Sequence, residues 1–188
     1  MSTPASPLKL STPLSEDEAR SLRAGQKVVL SGTAYSCRDL AHKRIVKAIS
    51  SGQEPPFDPQ GQIIYYAGPT PARPGNPVGA MGPTTSYRMD PYVETLLEAG
   101  LRGMIGKGVR SARVKAMLAR HGAVYLVATG GAGALLASRI REAQVIAYPD
   151  LGTEAVRRIE LDGFPTYVAY DTVGGDLYEQ GQARWRRK

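Results

Sequence analysis

Short apolar runs and helix-period segments alternate along the chain. Lys27-Val28-Val29-Leu30, Ile63-Ile64-Tyr65-Tyr66-Ala67, Val124 to Ala128, Val145 to Tyr148 and Thr166 to Asp171 have strand length and are rich in β-branched or aromatic residues. Between them, Asp39 to Ile49 places Leu40, Ile45, Val46 and Ile49 on one helical face, with Asp39 at its start and Ser51-Gly52 at its end. Asp90-Pro91 reads as an N-cap followed by proline in the first turn, opening a helix that Gly100 stops. Further helices are predicted over Ser111 to Arg120, Ala132 to Glu142 and Thr153 to Ile159, and a short one follows Ser15, where Glu16, Asp17 and Glu18 favour a helix N-terminus. Gly32 is expected to turn the chain after the first of these runs. The alternation predicts an α/β fold whose sheet is at least partly parallel in the second half.

Proline and glycine set the boundaries. Residues 1–7 have almost no apolar content and read as an arm, residues 8–181 as one folded domain and residues 182–188 as a basic tail. Pro69, Pro71, Pro74 and Pro77 make an extended, low-entropy stretch that works as a wall for the next loop. At 188 residues the chain is large enough to bury a core without covalent staples.

Charge and cysteine content narrow the function classes. A formal charge of +7 invites a nucleic-acid reading, but the basic residues are spread out, and the dense run Arg184-Trp185-Arg186-Arg187-Lys188 sits in no nucleic-acid signature. A small polyanionic substrate or an acidic partner subunit suits such a charge equally well. One cysteine, Cys37, excludes an internal disulfide framework, and the N-terminus has no apolar leader, so a cytoplasmic protein is expected. The longest uncharged run, Ala123 to Ser138, is too short to span a bilayer.

Candidate chemistry concentrates in Gly82-Pro83-Thr84-Thr85-Ser86-Tyr87-Arg88-Met89-Asp90. Three hydroxyl residues and an arginine lie between Pro83 and Pro91, which bar a central strand or a helix interior, and an arginine fork suits a carboxylate or phosphate. The alternative for this loop is a well-capped turn. Thr129-Gly130-Gly131-Ala132-Gly133 has the outline of a dinucleotide fingerprint with Asp150 downstream, but Leu136 stands where a small residue is needed, so a tight turn is the better reading. Gly131 could still offer a backbone N–H to an anion. Metal ligands are scarce: His42 and His121 are far apart and expected at the surface or at helix ends, and Cys37 is expected to be a buried, inert thiol.

With these residues the chain closely resembles the β subunit, or C-terminal domain, of iron–sulfur class I fumarate hydratases and the related L-tartrate dehydratases. The resemblance runs from about residue 8 to 181 and is carried by ordered motifs: Ser31 to Arg44, Tyr66-Ala67-Gly68-Pro69-Thr70-Pro71-Ala72, Thr84 to Asp90, Gly106-Lys107-Gly108, Gly130 to Leu136 and Asp150 to Val156. It implies a swivelling β/β/α domain similar to the mobile domain of aconitase. It also implies an iron–sulfur α subunit that holds the [4Fe-4S] cluster, in an α2β2 assembly, because Cys37 alone cannot supply three thiolates.

The implied reaction is reversible hydration of fumarate to (S)-malate, a tricarboxylic acid cycle step, or dehydration of L(+)-tartrate. Fumarate is preferred because the central-metabolic enzyme is the commoner role. By the same resemblance Arg38, Arg88 and Lys107 bind substrate carboxylates, and Thr84 is the catalytic base, assisted by an acidic residue of the α subunit. Thr85 and Ser86 are secondary, orienting the loop. Tyr87 stands where many members have glycine or alanine, and Val109 where a polar residue is common, which bears on substrate choice. From other classes, a nucleic-acid-binding module using the basic tail and a nicotinamide-dependent oxidoreductase are the alternatives.

Overall fold

The computed structural model describes residues 6–186. The first five residues of the expected arm, and the last two of the expected tail, lie outside them. Among the described residues the chain is a mixed α/β protein built on a sheet of seven strands. In chain order these are β1 (Leu8–Thr12), β2 (Lys27–Ser36), β3 (Ile63–Tyr65), β4 (Gly103–Gly106), β5 (Val124–Val127), β6 (Ile140–Ala147) and β7 (Val156–Tyr170). β1 to β5 pair in parallel with their neighbours. β7 runs antiparallel to β2, β5 and β6. Because β7 pairs with β2 over the same residues that face β1 and β3, it must occupy the opposite edge of β2. The pairing therefore runs β2–β3–β4–β5–β7 and returns to β2, closing the strands into a ring flanked by β1 and β6.

The period-two alternation of strand residues divides the core in two. Ile63 and Tyr65, Ile105, Val124 and Leu126 join Leu30, Ile159, Leu161 and Phe164 in one buried cluster. The intervening Ile64 and Tyr66, Met104 and Tyr125 join a second, packed against Ile45, Val93, Leu96, Val114 and Leu118. These last residues belong to the helices α2 (Asp39–Ser50), α3 (Val93–Glu98) and α4 (Ala112–His121). Strands buried on both faces account for the continuous apolar runs of the sequence.

The remaining helices are α1 (Glu16–Ser21), α5 (Gly133–Ala137) and α6 (Leu177–Trp185). At α1 the acidic start forms a full capping box, Ser15 and Glu18 each accepting from the other's backbone N–H. The helix expected over Ser111 to Arg120 is α4; Ser111 is its N-cap, and Gly122 closes it at φ 63°.

Several expectations are corrected. Gly32 does not turn the chain; it sits inside β2 at φ 101°, at a bulge opposite β7, and a side chain there would meet the Thr12 carbonyl. Asp90 is no N-cap, since a 3-10 helix runs from Ser86 to Tyr92 through Pro91 and α3 starts only at Val93. Proline disfavours α geometry in the residue before it, and the tighter turn absorbs the conflict. Leu40 is 52 % exposed, and the buried face of α2 is Ala41, His42 and Ile45. The helix expected to reach Glu142 ends at Ala137, and that expected over Thr153 to Ile159 is a 3-10 turn, Pro149–Glu154, leading into β7. Long-range pairing of β6 with β7 overrides local helical propensity in both places. At the C-terminus, Gln182 to Trp185 continue α6.

Candidate functional site

Four parallel strands end on one side of the sheet, and the residues that follow them carry the candidate chemistry. Cys37 and Arg38 follow β2, Tyr66 follows β3, Lys107 follows β4, and Ala128 to Gly131 follow β5. The ladder continues past the strand ends: Cys37 N–H bonds to the Tyr65 carbonyl (3.3 Å), Tyr66 N–H to Ile105 (2.8 Å) and Ala128 N–H to Gly106 (3.1 Å). The carboxyl ends of parallel strands, where the chain leaves the sheet, are the usual ligand crevice of α/β sheets.

The loop of residues 84–90 lies across these ends and is held by backbone bonds. Thr84 donates both its N–H (2.7 Å) and its Oγ1 hydroxyl (2.8 Å) to the Tyr66 carbonyl. Lys107 N–H bonds to the Thr84 carbonyl (3.2 Å), Ser86 N–H to the Lys107 carbonyl (3.1 Å), and Thr85 bridges Lys107 in parallel register. The segment is thus a short parallel extension of the sheet beside the end of β4. With its proton committed to Tyr66, the Thr84 hydroxyl has its lone pairs available for another contact.

Ser86 is fully buried, accepting Lys107 N–H (3.1 Å), with its Oγ 2.9 Å from the Tyr125 hydroxyl, whose own proton goes to the Gly108 carbonyl (2.8 Å). A side chain on Gly106 would come within 1.9 Å of its Oγ, so the glycine is what allows the loop to approach. Thr85 has no capping bond to the 3-10 helix. Lys107 is exposed and its side chain lies alongside Gly130, while Gly131 has φ 82° and open space around it.

Arg38 ends the β2 excursion and is the N-cap residue of α2, with extended backbone. Its guanidinium faces Asp39 (3.9 Å) and Glu154 (3.6 Å), and its Nε is buried without a hydrogen-bond partner. Arg88, projecting from the 3-10 helix, faces the same Asp39 at 3.5 Å. The structure thus joins Arg38 to Arg88 through one carboxylate and Thr84 to Lys107 through one backbone bond, with the 84–90 loop connecting the two pairs. A groove runs elsewhere, between the proline-rich stretch and β6, lined by Pro71, Pro77, Ile140 and Arg141 among others. At the strand ends Lys107 and Arg88 are exposed and Arg38 is half-buried.

Sequence reasoning missed several residues of this region. Arg110 is buried, donates from Nε to Asp90 (2.6 Å), and lies over the rings of Tyr66 (5.4 Å) and Tyr125 (5.2 Å). Asp90 also accepts Ser111 N–H (3.0 Å), so it joins the loop to the start of α4. The sequence marks Asp39 as a helix start within a family motif and Glu154 as part of a motif and a predicted helix, without assigning either a partner. Each is an acid placed against an arginine far away in sequence or on another element, a pairing with no local signal.

His42, expected at the surface or at a helix end, lies near the start of α2 but is fully buried, with Nδ1 2.8 Å from the Arg38 carbonyl and its ring against Tyr66. Burial pushes its pKa down to about 4. Cys37 is also fully buried, 3.5 Å from His42 Nδ1, and desolvation raises its pKa. An iron–sulfur cluster needs several accessible thiolates; the single thiol here is protonated and enclosed, so this chain's residues do not fit one. Among the described residues no group of three or more His, Cys, Asp or Glu could hold a metal ion. No helix among them is long and apolar enough to cross a membrane. The dinucleotide outline also fails: α5 has five residues, Leu136 is core, β6 leaves antiparallel to β7, and Asp150 is engaged by Arg44 at 2.8 and 2.6 Å.

Comparison with known proteins agrees with the family resemblance. The family model described as Fumarase C-terminus matches residues 2–181. The anaerobic class I fumarate hydratase of Escherichia coli is 40 % identical over 156 residues, covering 82 % of this chain and 28 % of its own. The mitochondrial fumarate hydratase 1 of Leishmania major is 36 % identical, covering 96 % of this chain and 34 % of its own. A Methanocaldococcus jannaschii protein named "Putative L(+)-tartrate dehydratase subunit beta" is 34 % identical and covers 89 % of both chains. The chain therefore spans only about a third of the fumarate hydratases it matches, but nearly the whole of a relative named as a subunit. On the match across residues 2–181 the chain belongs to the Fumarase C-terminus family.

Proposed function

We propose that this chain is the β subunit of a two-chain hydro-lyase that adds water reversibly to fumarate, with L(+)-tartrate dehydration as the second reading. The observation that carries the split-site reading is a cationic face with Lys107 and Arg88 exposed, on a chain whose residues cannot hold the cluster that the family's chemistry employs. The 89 % mutual coverage with a relative named as a β subunit supports it. That same relative is what keeps tartrate in consideration, since the other two are named for fumarate.

The chemistry asks two things of this half of the site. A dicarboxylate must be held by cations, and a proton must leave the carbon next to a carboxylate as the neighbouring hydroxyl departs. Arg38 and Arg88, a fork on either side of Asp39, are proposed to take substrate carboxylates, with Lys107 as a third cationic contact from the end of β4. Thr84, its lone pairs free, is placed at proton removal. A threonine hydroxyl is a poor base, so an acidic residue of the α subunit and the surrounding positive charge must assist. Ser86 and Thr85 hold the loop in place. When bound, a [4Fe-4S] cluster on the α subunit would supply the Lewis acid for the hydroxyl. We further propose that the domain swivels as the mobile domain of aconitase does, and that the assembly is α2β2.

The test is hydration of fumarate by the purified chain with and without an iron–sulfur α subunit. Activity is expected only from the pair, and turnover by the chain alone would sink the split-site reading. Parallel assays with L(+)-tartrate decide the substrate.

A further inference from the structure

The carboxylate of Glu154 already occupies an anion position. Its Oε2 accepts the N–H of Leu40 in the first turn of α2 (3.1 Å), and its Oε1 faces the Arg38 guanidinium (3.6 Å). A substrate carboxylate bound by Arg38 would seek this arrangement: one oxygen on a helix-start N–H, the other on an arginine. The contact with Arg38 is nevertheless slack. Its distance and the 3.9 Å to Asp39 both exceed hydrogen-bond length, and Arg38 Nε is buried with no partner. Arg38 therefore has its charge compensated while its donors remain unspent.

The segment carrying Glu154 is anchored on both sides. Asp150 is gripped by Arg44, and Arg157 donates to the carbonyls of Gly152 (2.7 Å), Thr153 (3.2 Å) and Ala155 (3.2 Å). Removing the carboxylate from Arg38 thus calls for rotation of one side chain and leaves the backbone where it is.

We infer that Glu154 is an internal stand-in for substrate: it holds Arg38 and the start of α2 ready, and a substrate carboxylate exchanges with it. Glu154 thereby sets affinity downward, because each binding event must displace an existing counter-charge. The inference rests on Arg38 being a substrate-carboxylate ligand, as proposed above. Glu154→Gln separates the possibilities, since the amide oxygen can still accept from Leu40 while the negative charge is gone.

In the complex with an iron–sulfur α subunit, the KM for fumarate and the competitive inhibition constant of succinate should both fall about threefold in Glu154→Gln, the scale of one partly exposed ion pair. A residue that only braced the fold or oriented Arg38 would raise both. Constants that rise or stay unchanged in Glu154→Gln, while Arg38→Lys clearly weakens succinate binding, overturn the inference alone. If Arg38→Lys leaves succinate binding untouched, the carboxylate role of Arg38 fails and the inference with it.

Discussion

Arg88 and Asp90 stand two residues apart in one 3-10 helix, yet their ion pairs are of opposite kinds. Asp90 meets Arg110 at 2.6 Å, with an arginine side chain that is 0 % exposed and packed on two tyrosine rings. Arg88 meets Asp39 at 3.5 Å and is 42 % exposed. One pair is locked and the other slack. The locked half gathers everything that fixes the loop: Tyr66 lies under Arg110 and takes Thr84 through its carbonyl, Tyr125 holds Ser86, and Asp90 ties to Ser111. The slack half gathers the arginines proposed to meet a ligand. A loop that must present side chains accurately needs a supporting shell more rigid than the groups it presents.

The sharpest way to break the contrast is at the locked pair. Asp90→Ala leaves the Arg110 charge buried without its carboxylate and should cost about 3–5 kcal/mol of stability by chemical denaturation. A loss below about 1 kcal/mol would show that Arg110 finds solvent and that the strut is not rigid. Next, Gly106→Ala forces a methyl group against Ser86 and should cost about 2 kcal/mol, with disturbance of the Lys107 and Ser86 amides in NMR spectra.

The buried face behind Arg38 gives a pH test. His42 is neutral in the folded state, with its pKa pushed down to about 4, whereas the unfolded chain takes up a proton near the ordinary histidine value of 6.5. Below pH about 6.5 the unfolded state therefore binds more protons, and this contribution to stability is lost progressively as pH falls toward about 4. Between pH 7 and pH 5 the loss assigned to His42 should be about 2 kcal/mol. Comparing denaturation midpoints with a His42→Gln protein checks it, since the variant should lose that part of the pH dependence.

In the slack half the effects fall on function. Arg88→Lys keeps the charge but not the planar fork, and should lower kcat/KM of the assembled enzyme roughly tenfold, about 1.4 kcal/mol, with little change in thermal stability. An unchanged value would remove Arg88 from carboxylate binding. The smallest effect belongs to an ion pair away from both halves: Arg141 and Asp162 are 68 % and 47 % exposed, and Arg141→Ala should change stability by less than about 0.5 kcal/mol.

Residues near one another in sequence were legible. The N-cap at Ser15, the helix from Ser111, the end of α2 at Ser51-Gly52 and the strands from Ile63 and Val124 follow from local pattern, because each signal lies within or beside the element it marks. The misreadings of β6, β7 and His42 fall where a distant segment overrides a local preference. β7 extends from Val156 to Tyr170 through stretches expected to be helix and loop because it finds β2, β5 and β6 as partners. His42 was misplaced because nothing nearby announces that Tyr66 and Cys37 will enclose it.

The amino-acid sequence by itself determined the α/β class, the loop chemistry of Thr84 to Arg88, the motif order that marks the family, and the lack of cluster thiols. These depend on residue identity and short spacing. Only the tertiary structure decided that β2 meets β7 and closes the strands into a ring, that Asp39 stands between two arginines, and that Glu154 sits at the start of α2 from the far end of the chain. Sheet closure and charge pairing are set by which segments meet after collapse, and neither local propensity nor spacing encodes a partner more than a hundred residues away.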